Sequence, residues 1–186
     1  MGIRIAWQLL TRYFKQIDLI WWAMFLALLT IGAAVVIVYR SKGGAHKATV
    51  FWCAIIPYSL LIFAATVFSR EKLGEQYWNS IINLDISTAW RIPQWRYGLI
   101  DTATGIGLNI LMFLPFGYLL GRLFKNPTIV LEISFLITLS IETLQLLTKR
   151  GFFELPDILL NMIGAVIGYY IAAIVNKRES NGKAGK

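Results

Sequence analysis

Along this chain the apolar residues come in long blocks separated by short polar breaks, without the strict alternation of strands or the narrow stripe of a water-facing helix. A bilayer core of about 30 Å takes roughly 20 helical residues to cross. Five blocks meet that length, at about 18–39, 49–69, 105–124, 128–147 and 157–175. The pattern predicts an all-α, polytopic membrane helix bundle of about five transmembrane helices. Gly43-Gly44 marks the first joint, Asn126-Pro127 the turn between the third and fourth blocks, and Lys149 to Pro156 the turn between the fourth and fifth.

Outside the blocks, residues 1–16 mix Arg4, Arg12 and Lys15 with Ile5, Trp7, Leu9, Leu10, Tyr13 and Phe14, which predicts an amphipathic helix in the membrane interface. A cleavable signal peptide is not expected, because the apolar run that follows is too long and shows no clear small-residue cleavage site. One connection is long, from Arg70 to about Thr104. It carries Tyr77, Trp78 and Trp90 before Pro93 and Trp95, Arg96 and Tyr97 after it, a mixture suited to the headgroup level. It reads either as a partial lid lying on the membrane or as a plain connecting loop. Residues 177–186, short, basic and rich in small polar residues, are expected to be disordered.

Composition strengthens the membrane assignment and removes other classes. The chain is 57% hydrophobic and 15% charged, outside the range of an ordinary soluble domain. The single cysteine, Cys53, sits inside an apolar block and reads as a small buried hydrophobe. The single histidine, His46, sits in the basic turn RSKGGAHK, so neither a metal centre nor another cofactor is expected. The net charge of +8 is scattered over connections and tails, which fits anionic lipid headgroups and not nucleic acid.

The informative residues are those that are costly in lipid, where a charge near the bilayer centre costs about 3 kcal/mol even on the gentler scales. Glu142 lies in the fourth block with Thr138 four residues before and Gln145 three after, so a helix puts them on one face, extended by Ser134. On the fifth block Asp157, Asn161, Gly164 and Gly168 follow one line, and on the third Asn109, Phe113, Gly117 and Gly121 do the same. Ser59, Thr66 and Ser69 lead along the second towards Arg70. In an up-and-down bundle Arg70 leaves the second helix, Asn109 enters the third, Glu142 and Gln145 leave the fourth, and Asp157 and Asn161 enter the fifth. All six are therefore expected near one membrane face.

Gly117-xxx-Gly121 and Gly164-xxx-Gly168 are small-xxx-small patterns that let helix backbones approach in lipid. Pro115 and Pro57 are expected to kink their helices. Two readings of the charges stay open: Arg70, Glu142 and Asp157 form a buried network that only orients helices, or they form a site that binds or transforms a ligand. Glu132, near the other end of the fourth block, is expected to pair with Arg122 or Lys125 in a structural role.

The runs NILMFLPFGYLLG (Asn109–Gly121), IETLQ around Glu142 and Gln145, ELPDILLNMIGAVIG (Glu154–Gly168) and FSRE around Ser69 and Arg70 resemble the motifs of the VanZ-like family of bacterial membrane proteins, in order and spacing. The resemblance implies a four-helix membrane domain over residues 46–176, preceded by an extra transmembrane helix within 17–45. It implies a bacterial cell-envelope protein of the kind associated with glycopeptide resistance, to teicoplanin more than vancomycin. The family's motif residues fall on Arg70, Asn109, Pro115, Phe116, Gly117, Glu142, Gln145, Asp157, Asn161 and Gly164. The extra first helix departs from the minimal family pattern and leaves room for another job.

Positive charge does not fix the orientation, because nine of the 18 basic residues fall on each side. Their tighter clustering in the RSKGGAHK turn, around Arg122 and Lys125 and in the tail points to a cytoplasmic C-terminus and an outward-facing site. There Arg70 suits a phosphate or carboxylate, with Ser69, Asn109, Gln145 and Asn161 beside it as further ligand-binding groups. An anionic lipid, a lipid-linked wall precursor or the glycopeptide itself are the expected ligands, and the oligomeric state is open. A binding or shielding role comes first. In an enzymatic alternative Glu142 acts as general acid or base and Asp157 holds Arg70 or a water. A small transporter or channel subunit is the third class.

Overall fold

The computed structural model of the chain describes residues 47–68, 70, 72–75, 81–92 and 98–184. The expected interfacial helix of residues 1–16, the first span at 18–39 and Ser69 lie outside them. Four α-helices are described, α1 (Lys47–Phe63), α2 (Gly98–Leu123), α3 (Pro127–Thr148) and α4 (Leu155–Ala184). The last three include spans long and apolar enough to cross a bilayer, and Ala54–Phe68 is a shorter apolar helix. The protein is thus an all-α membrane protein through these residues.

The helix ends follow from local chemistry. Asn126 caps α3, its side chain accepting the Thr128 N–H at 2.9 Å, and Pro127 takes the first helical position, where its missing donor costs nothing. At the far end Lys149 adopts the left-handed conformation (φ 56°) and its N–H returns to Leu146 O, while the Arg150 N–H reaches Gln145 O at 2.9 Å. Helix α1 runs past Pro57 and ends in a π-helical turn, Ala64–Phe68. Side chains from the α3–α4 joint satisfy carbonyls there: Gln145 Nε2 donates to Thr66 O at 3.1 Å and Arg150 Nη1 to Phe68 O at 3.2 Å.

Helices α2 and α4 run parallel and pack closely along much of their length. Gly117 lies against the Ala165 backbone, Gly164 against the Ile110 carbonyl and Gly168 against the Leu114 carbonyl, each too tight for any added Cβ. Lipid supplies no hydrophobic drive between helices, so such backbone contact must supply much of the attraction. Phe113 and Phe116, edge to face at 5.7 Å, are buried with Ile62, Leu120, Val130 and Ile141 in the core.

Two expectations are corrected. The helix continues through residues 177–184, so that part of the tail is not disordered; Asn176 Nδ2 donates to Gly121 O at 3.1 Å and Arg122 grips Glu179 at 2.9 and 3.1 Å. Arg122 is therefore engaged with Glu179 one helix away, while Glu132 is exposed on α3. Beside the helices, β1 (Ile82–Asn83) pairs in parallel with β2 (Phe153–Glu154), and Phe153 N–H donates to Ile81 O at 2.7 Å. Two residues a side carry no alternation that a sequence could show.

Candidate functional site

The start of α2, the end of α1, the end of α3 and the start of α4 meet at one end of the bundle, called here the polar end. Asn109 Nδ2 donates to Asp157 Oδ1 at 2.8 Å, joining α2 to α4. Glu142 is 1% exposed, and its Oε2 accepts the Glu154 N–H at 2.9 Å. Arg70 lies near enough for its charge to act on both Glu142 and Asp157. Its guanidinium flanks Gly151: a Cβ there would fall 3.0 Å from Arg70 Nη1 and 3.0 Å from Gln145 Oε1. Arg150 Nη1, in turn, holds Arg70 O at 2.5 Å. Of the residues expected here from sequence, Arg70, Asn109, Glu142, Gln145 and Asp157 all meet.

Asn161 sits one turn deeper, its Nδ2 donating to Thr138 Oγ1 at 2.8 Å. Together Ser134, Thr138, Glu142 and Gln145 form a buried polar stripe on α3, about 16 Å long at helical rise. That is roughly half the thickness of a bilayer core. Past Ser134 the buried face of α3 turns apolar at Val130. Three buried oxygens of this track, Ser134 Oγ, Gln145 Oε1 and Asn161 Oδ1, accept no hydrogen bond from the described residues.

Residues 81–92 fold over the polar end as a lid. Asn83 Nδ2 reaches Glu154 Oε1 at 3.3 Å and Thr88 Oγ1 at 2.7 Å, and a 3₁₀ turn (Ile86–Trp90) begins at the Asp85 cap. Two hydrogen bonds from Ser87, then the Arg91 charge, hold the Asp85 carboxyl below its ordinary range. Beneath the lid lies a pocket of about 160 Å³, with Thr88, Asp101, Thr102, Gly105, Glu154 and Asp157 in its walls. The described part of the long connection packs on α2 and α4.

Sequence reasoning gave Glu154, Arg150 and Asp101 no role. Glu154 and Asp157 stand three apart at a helix start, a signal that was available. The clasp made by Arg150 depends on a left-handed turn at Lys149 that no pattern announces. Among the described residues no group of His, Cys, Asp and Glu is placed to hold a metal ion.

Helices long and apolar enough to cross a membrane, with buried polar side chains gathered at one end of the bundle, define a membrane protein with a one-sided polar site. Residues 26–176 match the VanZ/LLP1 family, and the chain belongs to it. Protein VanZ of Enterococcus faecium is 29% identical over 77 residues, covering 40% of this chain and 48% of that relative. The chain thus spans about half the length of the curated relative it matches. No solved structure matches the chain.

Proposed function

We propose that this chain is a multi-pass protein of the bacterial cell membrane, with five transmembrane helices, that contributes to glycopeptide resistance of the VanZ type by binding a ligand at its polar end. The reading rests on family membership and on one observation, the gathering of Arg70, Asn109, Glu142, Gln145 and Asp157 at one end of the bundle, where Asp157 also lines the pocket under residues 81–92. A network that served only to orient helices would satisfy its own members. Here Gln145 Oε1, Asn161 Oδ1 and Ser134 Oγ lack donors, and a buried acceptor left so costs on the order of 1–3 kcal/mol. Such oxygens suit the hydroxyl, amide or ammonium donors of a ligand, while Arg70 suits its phosphate or carboxylate. Lipid-linked wall precursors, anionic lipids and glycopeptides all carry such groups. An outward-facing site that occupies one of them would alter antibiotic access without chemistry.

The burial of Glu142 favours one second reading, in which that carboxyl moves a proton on a lipid-borne substrate. A transmembrane pathway is less well supported, because the described polar track stops near Ser134.

Expression of the wild-type chain in a susceptible Gram-positive host, against an empty-vector control, tests the proposal. Protection against teicoplanin exceeding that against vancomycin is expected. Equal susceptibility of both strains, with the protein present in the membrane, would remove the resistance reading.

A further inference from the structure

The lid is built inside out for a loop that meets water. Its large apolar side chains point away from the protein: Ile82, Leu84, Ile86, Trp90 and Ile92 are each 47–64% exposed. Its polar groups bond to one another. Asp85 accepts the Ser87 N–H at 2.9 Å and Arg91 Nη2 at 3.4 Å, and the Asp85 N–H donates to Asn83 Oδ1 at 3.1 Å. Thr88 Oγ1 donates to Asp85 O at 2.7 Å, and the Thr88 and Arg91 N–H groups close back on Asp85 O and Thr88 O. Irregular backbone approaches an apolar phase only when its polar groups are met internally, and the exposed Asp85–Arg91 pair leaves the segment without net charge at the level of the headgroups.

The apolar face of the lid has a neighbour of the same character. Leu99 and Ile100, in the first turn of α2, are exposed, and so is Leu108 further along that helix. These belong to the surface that a spanning helix turns to acyl chains. Thr102 Oγ1 donates to Arg91 O at 3.3 Å, so the end of the lid lies beside the start of α2.

Gly105 lies on the same helix and lines the pocket under the lid, and a Cβ added there would meet nothing within 4 Å. Gly105 is thus a wall position with unfilled space in front of it, on the helix whose exposed face carries Leu99 and Leu108.

We propose that the lid is inserted in the membrane interface with its apolar face in lipid, and that the pocket beneath it opens sideways at Gly105 to the leaflet. The occupant is the bilayer itself. The ligand, which rests on the binding reading above, is then an amphiphile that enters from the leaflet with its polar head towards Asp157 and its chain left in lipid. A soluble ligand would have to pass through the headgroups to reach the same pocket.

Spin labels test the geometry independently of any resistance phenotype. The chain has one cysteine, so Cys53→Ser gives a background for single labels at Leu84→Cys, Ile86→Cys and Gly105→Cys in liposomes of phosphatidylethanolamine and phosphatidylglycerol. Leu111→Cys, exposed on α2, serves as the lipid reference and Ser180→Cys, exposed near the C-terminal end of α4, as the water reference. Power saturation then compares collisions with oxygen, which concentrates in lipid, and with a water-soluble nickel chelate. The oxygen-to-nickel ratio at 84, 86 and 105 is expected to lie several-fold above that at 180 and close to that at 111. Nickel-dominated collisions at 84 and 86 would place the lid in water and overturn the insertion. Exclusion of both reagents there would mean that protein covers the lid, with the same consequence. Nickel dominance at 105 alone would overturn sideways access. A failed resistance assay changes none of these readings.

Discussion

Asn109 and Asp157 are joined by a 2.8 Å hydrogen bond that ties the entry of α2 to the entry of α4. The two helices run parallel, with α3 returning between them, so this bond fixes the register at the polar end while glycine contacts fix it deeper. Truncation by Asn109→Ala is expected to lower the free energy of unfolding by about 1 kcal/mol, in the range of hydrogen bonds measured inside membranes. Titration with SDS in mixed micelles, read by circular dichroism, measures it. An unchanged midpoint would mean that the bond contributes nothing net.

The glycines divide into two groups, and the division is testable. A side chain at Gly164 meets the Ile110 carbonyl, and one at Gly168 meets the Leu114 carbonyl. Gly164→Leu and Gly168→Leu are each expected to cost about 2 kcal/mol or more, by forcing α2 and α4 apart. Gly105→Ala and Gly107→Ala, where a Cβ meets nothing, should leave stability unchanged or raise it slightly. Melting temperature in detergent separates the two groups.

Because Gly105 lines the pocket in open space, it allows the pocket to be filled without repacking the bundle. Gly105→Trp is expected to keep wild-type membrane levels and melting temperature while removing the protection expected of the wild type. Full protection with the pocket filled would move the binding site elsewhere.

Asp85 gives the lid a definite response to pH. Its pKa in the folded chain lies below the ordinary value of 3.8, so the stability it lends the lid is present above that value and lost as pH falls through the lowered pKa. A spin label at Leu84→Cys should therefore stay immobilised down to about pH 4 and loosen only below it. Asp85→Ala removes the cap and should loosen the label most at neutral pH, while Asp85→Asn keeps a capping oxygen but loses the charge and should loosen it only partly, as acid does. A label insensitive to all three changes would show that the cap does not order the lid.

Much of this architecture could be read from sequence, for reasons that differ by element. Helices α2, α3 and α4 were legible because crossing a bilayer demands an unbroken apolar run, and Asn126-Pro127 announces a cap. The meeting of Arg70, Asn109, Glu142 and Asp157 followed from alternating helix direction and required no side-chain detail. The end of α4 was misread because its polar composition resembles a disordered tail, whereas Asn176 and Glu179 fasten it to Gly121 and Arg122. The lid was hardest: a two-residue strand pair and a five-residue 3₁₀ turn carry too few positions for a period. The part played by Arg150 depends on the left-handed Lys149, a conformation that asparagine or glycine would have advertised and lysine does not.

The central claim is that the polar end acts and does not merely hold the helices together, and Glu142→Gln tests it most directly. Glutamine keeps an oxygen to accept the Glu154 N–H and nearly the same volume, so the fold should survive. With wild type and variant at equal membrane levels and equal melting temperatures, growth inhibition by teicoplanin is compared in a susceptible Gram-positive host. The account predicts protection by the wild type and its loss in Glu142→Gln; protection of equal strength by both would contradict it.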